Sequence, residues 1–305
     1  MTATKTVSIV IPHFGEPGPT LVLLEALKRQ RSGDPRCVVE AQQLIVVDDQ
    51  SPVPFPNVNG VCVVRRERNG GFGSAVNSGM GVAEHDLALV LNSDLEISET
   101  FVADFLAASR PWHPAVLSPQ VLAHDGSAQW VGRHFPTIRH QVVEWLSPLA
   151  RFRHKRALHE AVGHDTRCVT GAVVPVDWVV GAAMLIPVAQ FRAVGGFDEA
   201  FFMNSEEVDL QRRLREIGVP SIFLGTVSVT HEGGGSSDAD RRRHWLVASR
   251  FLYARKWGRP GTLRAALGAA SVANLLVNVA RQAAARRVDA LATFKQELSY
   301  LRASK

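Results

Sequence analysis

Residues 87–94, LALVLNSD, decide the fold class. Five apolar residues without helical spacing read as a strand buried on both faces, and the three short polar residues after it read as a turn. The same form occurs twice upstream. Leu44 to Val47 runs into Asp48-Asp49, and Val7 to Ile11 is closed by Pro12. Between these runs Thr20 to Arg31 and Gly73 to Ala83 carry helical patterns, and Val61 to Val64 is a further short apolar run. Strand and helix in alternation predict an α/β fold with a mostly parallel central sheet flanked by helices. Parallel sheets open their ligand crevice at the carboxyl ends of the strands, so Asp48, Asp49 and Asp94 are expected on one side.

Further on, Ser98 is placed to cap a helix reaching Ser109, and Ala150 to Arg167 is charged and only weakly periodic. Trp178 to Ile186 reads as a strand, Val188 to Val194 as a helix, Gly195 to Asp198 as a turn and Ser205 to Ile217 as a helix. From Asp240 to Tyr300 the pattern is helical throughout, with an apolar stretch from Ala265 to Ala280 interrupted by Asn274 and Asn278. That stretch falls short of the roughly 20 residues that span a bilayer, so a transmembrane helix is not expected. Two readings stay open: packing on the core, or an interfacial helix with Arg264, Arg281 and Arg286 at its polar edge.

The 305 residues are 46% apolar and 21% charged, the balance of a chain that folds around its own core. Cys37, Cys62 and Cys168 are far apart and odd in number, which supports neither a disulfide framework nor a zinc site. The opening MTATKTVSIVIP enters a strand directly, without export-signal features, and a cytoplasmic setting is expected, including the inner face of the plasma membrane. The net charge of +5 gathers in the later half. Arg241 to Arg243, and Arg281 with Arg286 and Arg287, suit anionic lipid or a pyrophosphate as well as a solvated helix face. No nucleic-acid recognition motif accompanies them, so nucleic acid is not an expected partner.

Several short motifs carry candidate chemistry. Adjacent carboxylates at Asp48-Asp49 need donors or a cation beside them, and can accept from a base or ribose or simply cap a turn. Asn69-Gly70-Gly71-Phe72-Gly73, continuing to Asn77, allows close backbone approach and aims a helix N-terminus at negative charge. Asn92-Ser93-Asp94 offers oxygen ligands suited to Mg²⁺ or Mn²⁺, Asp94 most directly. Asn204 to Asp209 sets three carboxylates at a helix start, where Asn204 and Glu207 have capping-box spacing and a carboxylate in a cleft can serve as general base. His231 follows an apolar strand and precedes a glycine run.

Taken in order, SIVIPHFGE, VVDDQS, NGGFGSAVNSGM, LVLNSDLEI, VVGAAMLIP, GGFDEAFFMNSEEVDLQRRL and the late His231 resemble the inverting family 2 glycosyltransferases of GT-A fold, and most of all bacterial cell-envelope rhamnosyltransferases. The resemblance covers about residues 5–240. It implies a catalytic domain over 1–240, with a donor half to about 125 and an acceptor half from about 126, followed by a helical C-terminal extension over 241–305. It places Pro12, His13, Glu16, Asp48, Asp49, Asn69, Gly71, Phe72, Gly73, Asn77, Asn92 and Ser93 by the nucleotide-sugar donor, and Gly181 and Ala182 by the acceptor. Asp94 and His231 are implied metal ligands for Mg²⁺ or Mn²⁺, with Asn92 standing where the DXD motif has a carboxylate. Glu207 is the implied catalytic base, with Glu206 and Asp209 as alternatives. The donor implied is dTDP-L-rhamnose and the acceptor a glycan or polyprenyl diphosphate-linked saccharide. A UDP-hexose or UDP-N-acetylhexosamine donor remains open, as does an inactive nucleotide-sugar-binding partner in envelope assembly.

Overall fold

The computed structural model describes residues 7–31, 42–152, 154–231, 238–284 and 288–303. Cys37, Arg286, Arg287 and the glycine run after His231 lie outside them. Along the chain the elements are β1 (Val7–His13), α1 (Gly18–Lys28), β2 (Gln42–Asp48), β3 (Val61–Arg65), α2 (Gly71–Gly81), β4 (Leu87–Leu91), β5 (Leu95–Glu96), α3 (Phe101–Ser109), β6 (Val116–Leu122) and β7 (Gly132–Arg133). Then come α4 (Ile138–Trp145), α5 (Arg156–Ala161), β8 (Val173–Val176), β9 (Trp178–Val179), β10 (Ala183–Pro187), α6 (Val188–Ala193), α7 (Glu206–Glu216), β11 (Ser221–His231), α8 (Ala239–Trp257), α9 (Pro260–Ala283) and α10 (Ala290–Ala303).

These elements form two compact units. Residues 1–133, 167–202 and 206–236 make the first; residues 134–166, 203–205 and 237–305 make the second. Residues 134–166, expected from the sequence in the acceptor half, thus cluster with the C-terminal helices.

The first unit is built on a sheet in the order β3-β2-β1-β4-β10-β6-β11-β5, with β8 on β11. The first four strands are parallel; β10 enters antiparallel to β4 and β6, while β6 and β11 are again parallel. Central strands are apolar on both faces: Ile9, Val10, Ile11, Leu89, Val90 and Leu91 are all fully buried. The chain leaves β1 toward β2 on one side and β4 lies on the other, so the order reverses between β1 and β4. Parallel sheets bind ligands outside the carboxyl ends at such a reversal, and Pro12-His13 and Asn92-Ser93-Asp94 fall there.

Two boundaries differ from the expected ones for physical reasons. The Trp178–Ile186 run is two strands: β9 pairs with β7 in a separate small sheet, and β10 joins the main one. Apolar character alone could not show the change of sheet at Val180-Gly181-Ala182. Helix α7 starts at Glu206, after Asn204 and Ser205 adopt left-handed φ of 70° and 67°. Asn204 therefore stands two residues before the helix, outside the capping position its spacing suggested.

In the second unit, Trp145 of α4 packs with Val247 and Phe251 of α8, Leu263 and Leu267 of α9 and Tyr300 of α10. Helix α9 runs for 24 residues and is long and apolar enough to cross a membrane by length and composition. It is longer than the expected apolar stretch, whose length alone fell short of a bilayer, because Pro260 starts the helix and Arg264 and Arg281 lie inside it.

Candidate functional site

At the ends of β4 and β11, short antiparallel pairing of β5 with β11 sets His231 opposite Leu95. Its Nε2 lies 3.2 Å from Asp94 Oδ1 and 3.3 Å from Asn92 Nδ2. The other side of the ring meets Gln129: Oε1 is 2.9 Å from Nδ1, while Gln129 Nε2 donates to the His231 carbonyl at 2.9 Å. A carbonyl only accepts, so the amide nitrogen of Gln129 must face it and Oε1 must face the ring. Nδ1 therefore carries a hydrogen, and Nε2 presents its lone pair to Asp94 when the ring is neutral. Two acceptors at this separation call for a proton or a cation between them. Burial raises the Asp94 pKa, but the His231 hydrogen bond and charge outweigh it and hold the carboxyl below its ordinary value. Among the described residues no group of three or more His, Cys, Asp or Glu converges, so Asp94 and His231 stand as a pair with the Asn92 amide beside them.

The second acidic feature is at the start of α7. Glu207 is half-buried, and the Gly181 backbone N–H points to its Oε1 at 3.4 Å. A Cβ on Gly181 would sit 3.1 Å from Glu207 Cγ and 3.0 Å from the Phe72 ring, so glycine is what lets the carboxylate lie against this turn. Burial pushes the Glu207 carboxyl above its ordinary pKa; the Gly181 N–H and the charge of Arg133 offset this only in part. Glu206 is 1% exposed and Asp209 fully buried. Both Nε and a terminal nitrogen of Arg213 reach Asp209 Oδ2 at 2.9 Å, which ties that carboxylate into the helix.

Gln211 supports this turn, a role its place in VDLQRRL did not reveal. Its amide takes both the N–H and the C=O of Val179, at 2.8 and 2.7 Å, and Ser221 donates to it at 2.9 Å. Strand β9 is thereby fastened to α7, one residue pair before Gly181. The Ala182 carbonyl accepts from the Asn92 N–H at 2.9 Å, so Gly181-Ala182 lies beside Asn92-Ser93-Asp94.

The remaining expected donor residues are placed as follows. Asp48 is fully buried and accepts from the N–H groups of Ser51 (2.7 Å) and Phe55 (2.9 Å) and from Arg65. Burial raises its pKa, and these donors more than reverse that. Asp49 accepts from Arg66 (2.6 Å) and from the N–H groups of Gly70 (3.1 Å) and Gly71 (2.8 Å), anchoring the glycine turn. The donors that adjacent carboxylates require are thus protein groups. Asn77 binds the N–H and C=O of Phe197 at 2.8 and 2.9 Å, and Gly73 packs on the Phe197 ring. Phe72 meets Phe197 edge-on. His13 is buried, its Nδ1 2.8 Å from Thr20 Oγ1 and its ring edge-on to Phe55. Burial lowers its pKa, against the opposing charge of Asp48. Pro12 is half-buried, Glu16 is exposed, and the Gly15 N–H donates to Ser51 Oγ at 3.0 Å, joining the loops after β1 and β2. Asn69 Oδ1 accepts from Gly71 at 3.2 Å, and Ser93 is half-buried between Asn92 and Asp94.

Residues 8–178 match the family described as Glycosyl transferase family 2. Over 212 residues the chain is 27% identical to N-acetylglucosaminyl-diphospho-decaprenol L-rhamnosyltransferase of Mycobacterium tuberculosis, covering 65% of this chain and 66% of the relative. Over 132 residues it is 28% identical to Rhamnosyltransferase WbbL of Escherichia coli K12, covering 43% and 44%. The chain thus spans less than two thirds of the length of these curated relatives. The mannosyltransferase PcManGT of Pyrobaculum calidifontis, solved with GDP-Man and Mn²⁺, superposes with a TM-score of 0.53 at 14% identity, over 99% of this chain and 86% of that one. That likeness supports the expected GT-A fold.

Proposed function

Since the chain belongs to glycosyl transferase family 2, we propose that it moves a sugar from a nucleotide diphosphate donor to an acceptor hydroxyl, with inversion at the anomeric carbon. The sugar in this reading is L-rhamnose carried on dTDP, and the acceptor a cell-envelope glycan or polyprenyl diphosphate-linked saccharide, reached in the cytoplasm beside the membrane. The names of the two rhamnosyltransferase relatives support the sugar. The observation that carries the reaction type is the placing of two distinct acidic features by the carboxyl end of β4: Asp94 facing His231, and Glu207 against Gly181, whose neighbour Ala182 bonds to Asn92.

Asp94 and His231 fit a divalent cation, because a cation can take the place of the proton that their facing acceptor atoms otherwise share; Asn92 stands beside them. When bound, the cation neutralises charge on the departing nucleotide diphosphate. The relative solved with Mn²⁺ supports a metal of this kind. Glu207 takes the proton from the acceptor hydroxyl. That oxygen forms its bond to the anomeric carbon from the face opposite the leaving group, and the bond from carbon to the diphosphate oxygen breaks with its electron pair going to the diphosphate. A raised pKa makes Glu207 a better proton acceptor than an ordinary carboxylate. Asp209 is buried and held by Arg213, and Glu206 is buried, so Glu207 is the most exposed of the three carboxylates.

The test is a panel of dTDP- and UDP-sugars with Mg²⁺ or Mn²⁺, read by released nucleotide diphosphate and product mass. dTDP-rhamnose is expected to be consumed; turnover of a UDP-sugar alone would replace the donor, and turnover of none would reject the reading.

A further inference from the structure

Helix α9 buries polar residues beside its apolar Leu263 and Leu267. Ser271, Asn274 and Asn278 lie on its buried face, at 0%, 1% and 3% exposure. Trp145 Nε1 donates to Ser271 Oγ at 2.9 Å; Asn274 accepts from the Ser147 N–H at 3.0 Å and donates to the Trp145 carbonyl and to Glu297, at 3.0 and 2.9 Å. The opposite face shows Val272, Leu276 and Val279 at 49%, 67% and 52% exposure, with Val277 at its margin. Positions 272, 276 and 279 are one and two turns apart and project together, and exposed Ala265, Ala269, Ala273 and Ala280 fill the spaces between them. No charged residue interrupts residues 265–280. A helix at a water-facing surface carries its polar residues outward; this one buries Ser271, Asn274 and Asn278 alongside Leu263, Leu267 and Ala270 and leaves Val272, Leu276 and Val279 outside.

The surrounding charge says what covers it. Residues 237–305 hold fourteen Lys and Arg against four Asp and Glu. Exposed Arg255, Lys256 and Arg259 precede α9, and half-buried Arg281 ends its apolar face. An apolar strip with cations at both ends matches a bilayer surface of anionic lipid, with acyl chains under the strip and headgroups at the rim. Because the buried side of α9 is bonded to Trp145, Ser147 and Glu297 of its own unit, the helix fits lying in the interface rather than crossing it.

We propose that the Val272–Leu276–Val279 face of α9 is a docking surface for an anionic membrane. This deepens the membrane-side placement above, but vesicle binding is measured without donor or acceptor, so either reading can fail alone. The full chain is floated with phosphatidylcholine vesicles and with vesicles containing phosphatidylglycerol. Binding to the anionic vesicles, weakened by salt, is expected, and L276E/V279E is expected to lower the partition coefficient about tenfold or more. The control V22E, at a 67% exposed position on α1, is expected to bind like the wild type. Circular dichroism melts of each variant separate lost docking from lost folding, which exposed positions should not affect. Equal binding by L276E/V279E or to neutral vesicles, resistance to alkaline carbonate extraction, or concentration-dependent self-association without vesicle binding would each overturn the proposal.

Discussion

Gln129 holds His231 from two sides, receiving the ring Nδ1 hydrogen and donating to the His231 carbonyl, both at 2.9 Å. The ring is thereby turned so that Nε2 faces Asp94. Gln129→Leu is expected to weaken Mn²⁺ binding about 10- to 100-fold, the usual cost of losing a supporting partner of a ligand. Gln129→Glu keeps the acceptor and should retain more affinity. Titration followed by electron paramagnetic resonance of free Mn²⁺ checks this, and equal affinity in both variants would remove the orienting role.

Asp94→Ala removes the carboxylate that faces His231. Metal-supported donor binding, measured by calorimetry with dTDP and Mn²⁺, is expected to fall to the level seen with chelator present. Unchanged affinity would move the cation away from Asp94.

Gly71 has φ of +82°, and a Cβ there would stand 1.7 Å from the Phe202 carbonyl oxygen. Gly15, at φ of +104°, has open space. Gly15→Ala therefore costs strain alone, about 1–3 kcal/mol, whereas Gly71→Ala adds a backbone clash and should cost more. Denaturant melts compare them; equal losses would contradict the close approach at Gly71.

The pH dependence of transfer follows from Glu207. A base works deprotonated, and burial raises its pKa, so the acid limb of kcat should lie above the ordinary carboxylate range. Activity is lost as pH falls through that raised value. An acid limb at the ordinary glutamate value or below would count against Glu207 as the base.

Much of the fold was legible because strands such as Leu87–Leu91 are short apolar runs closed by polar turns, and the structure begins and ends β4 at those residues. Asp94 and His231 could be singled out separately, since each ends an apolar strand. Their meeting could not be derived from spacing, because it depends on β5 pairing with β11 across 137 residues of chain, from Asp94 to His231. Gln129 and Gln211 were invisible for a related reason: each acts through backbone groups 102 and 32 residues away, and glutamine has no spacing signature for such a clamp. Asp48 and Asp49 show the opposite case, where a correct expectation of compensating donors was met by Arg65, Arg66 and local N–H groups rather than by a pattern visible in their own motif. On α9, the polar interruptions at Asn274 and Asn278 read as breaks in an apolar helix, and only packing shows that they form its inner face.

The central claim is that Glu207 removes the acceptor proton during sugar transfer. Transfer by wild type and Glu207→Gln, measured as product mass with the competent donor and acceptor while dTDP binding is followed by calorimetry, tests it most directly. The account predicts transfer reduced by about 10²–10⁴ with nucleotide binding kept; a folded Glu207→Gln variant that transfers at the wild-type rate would contradict it.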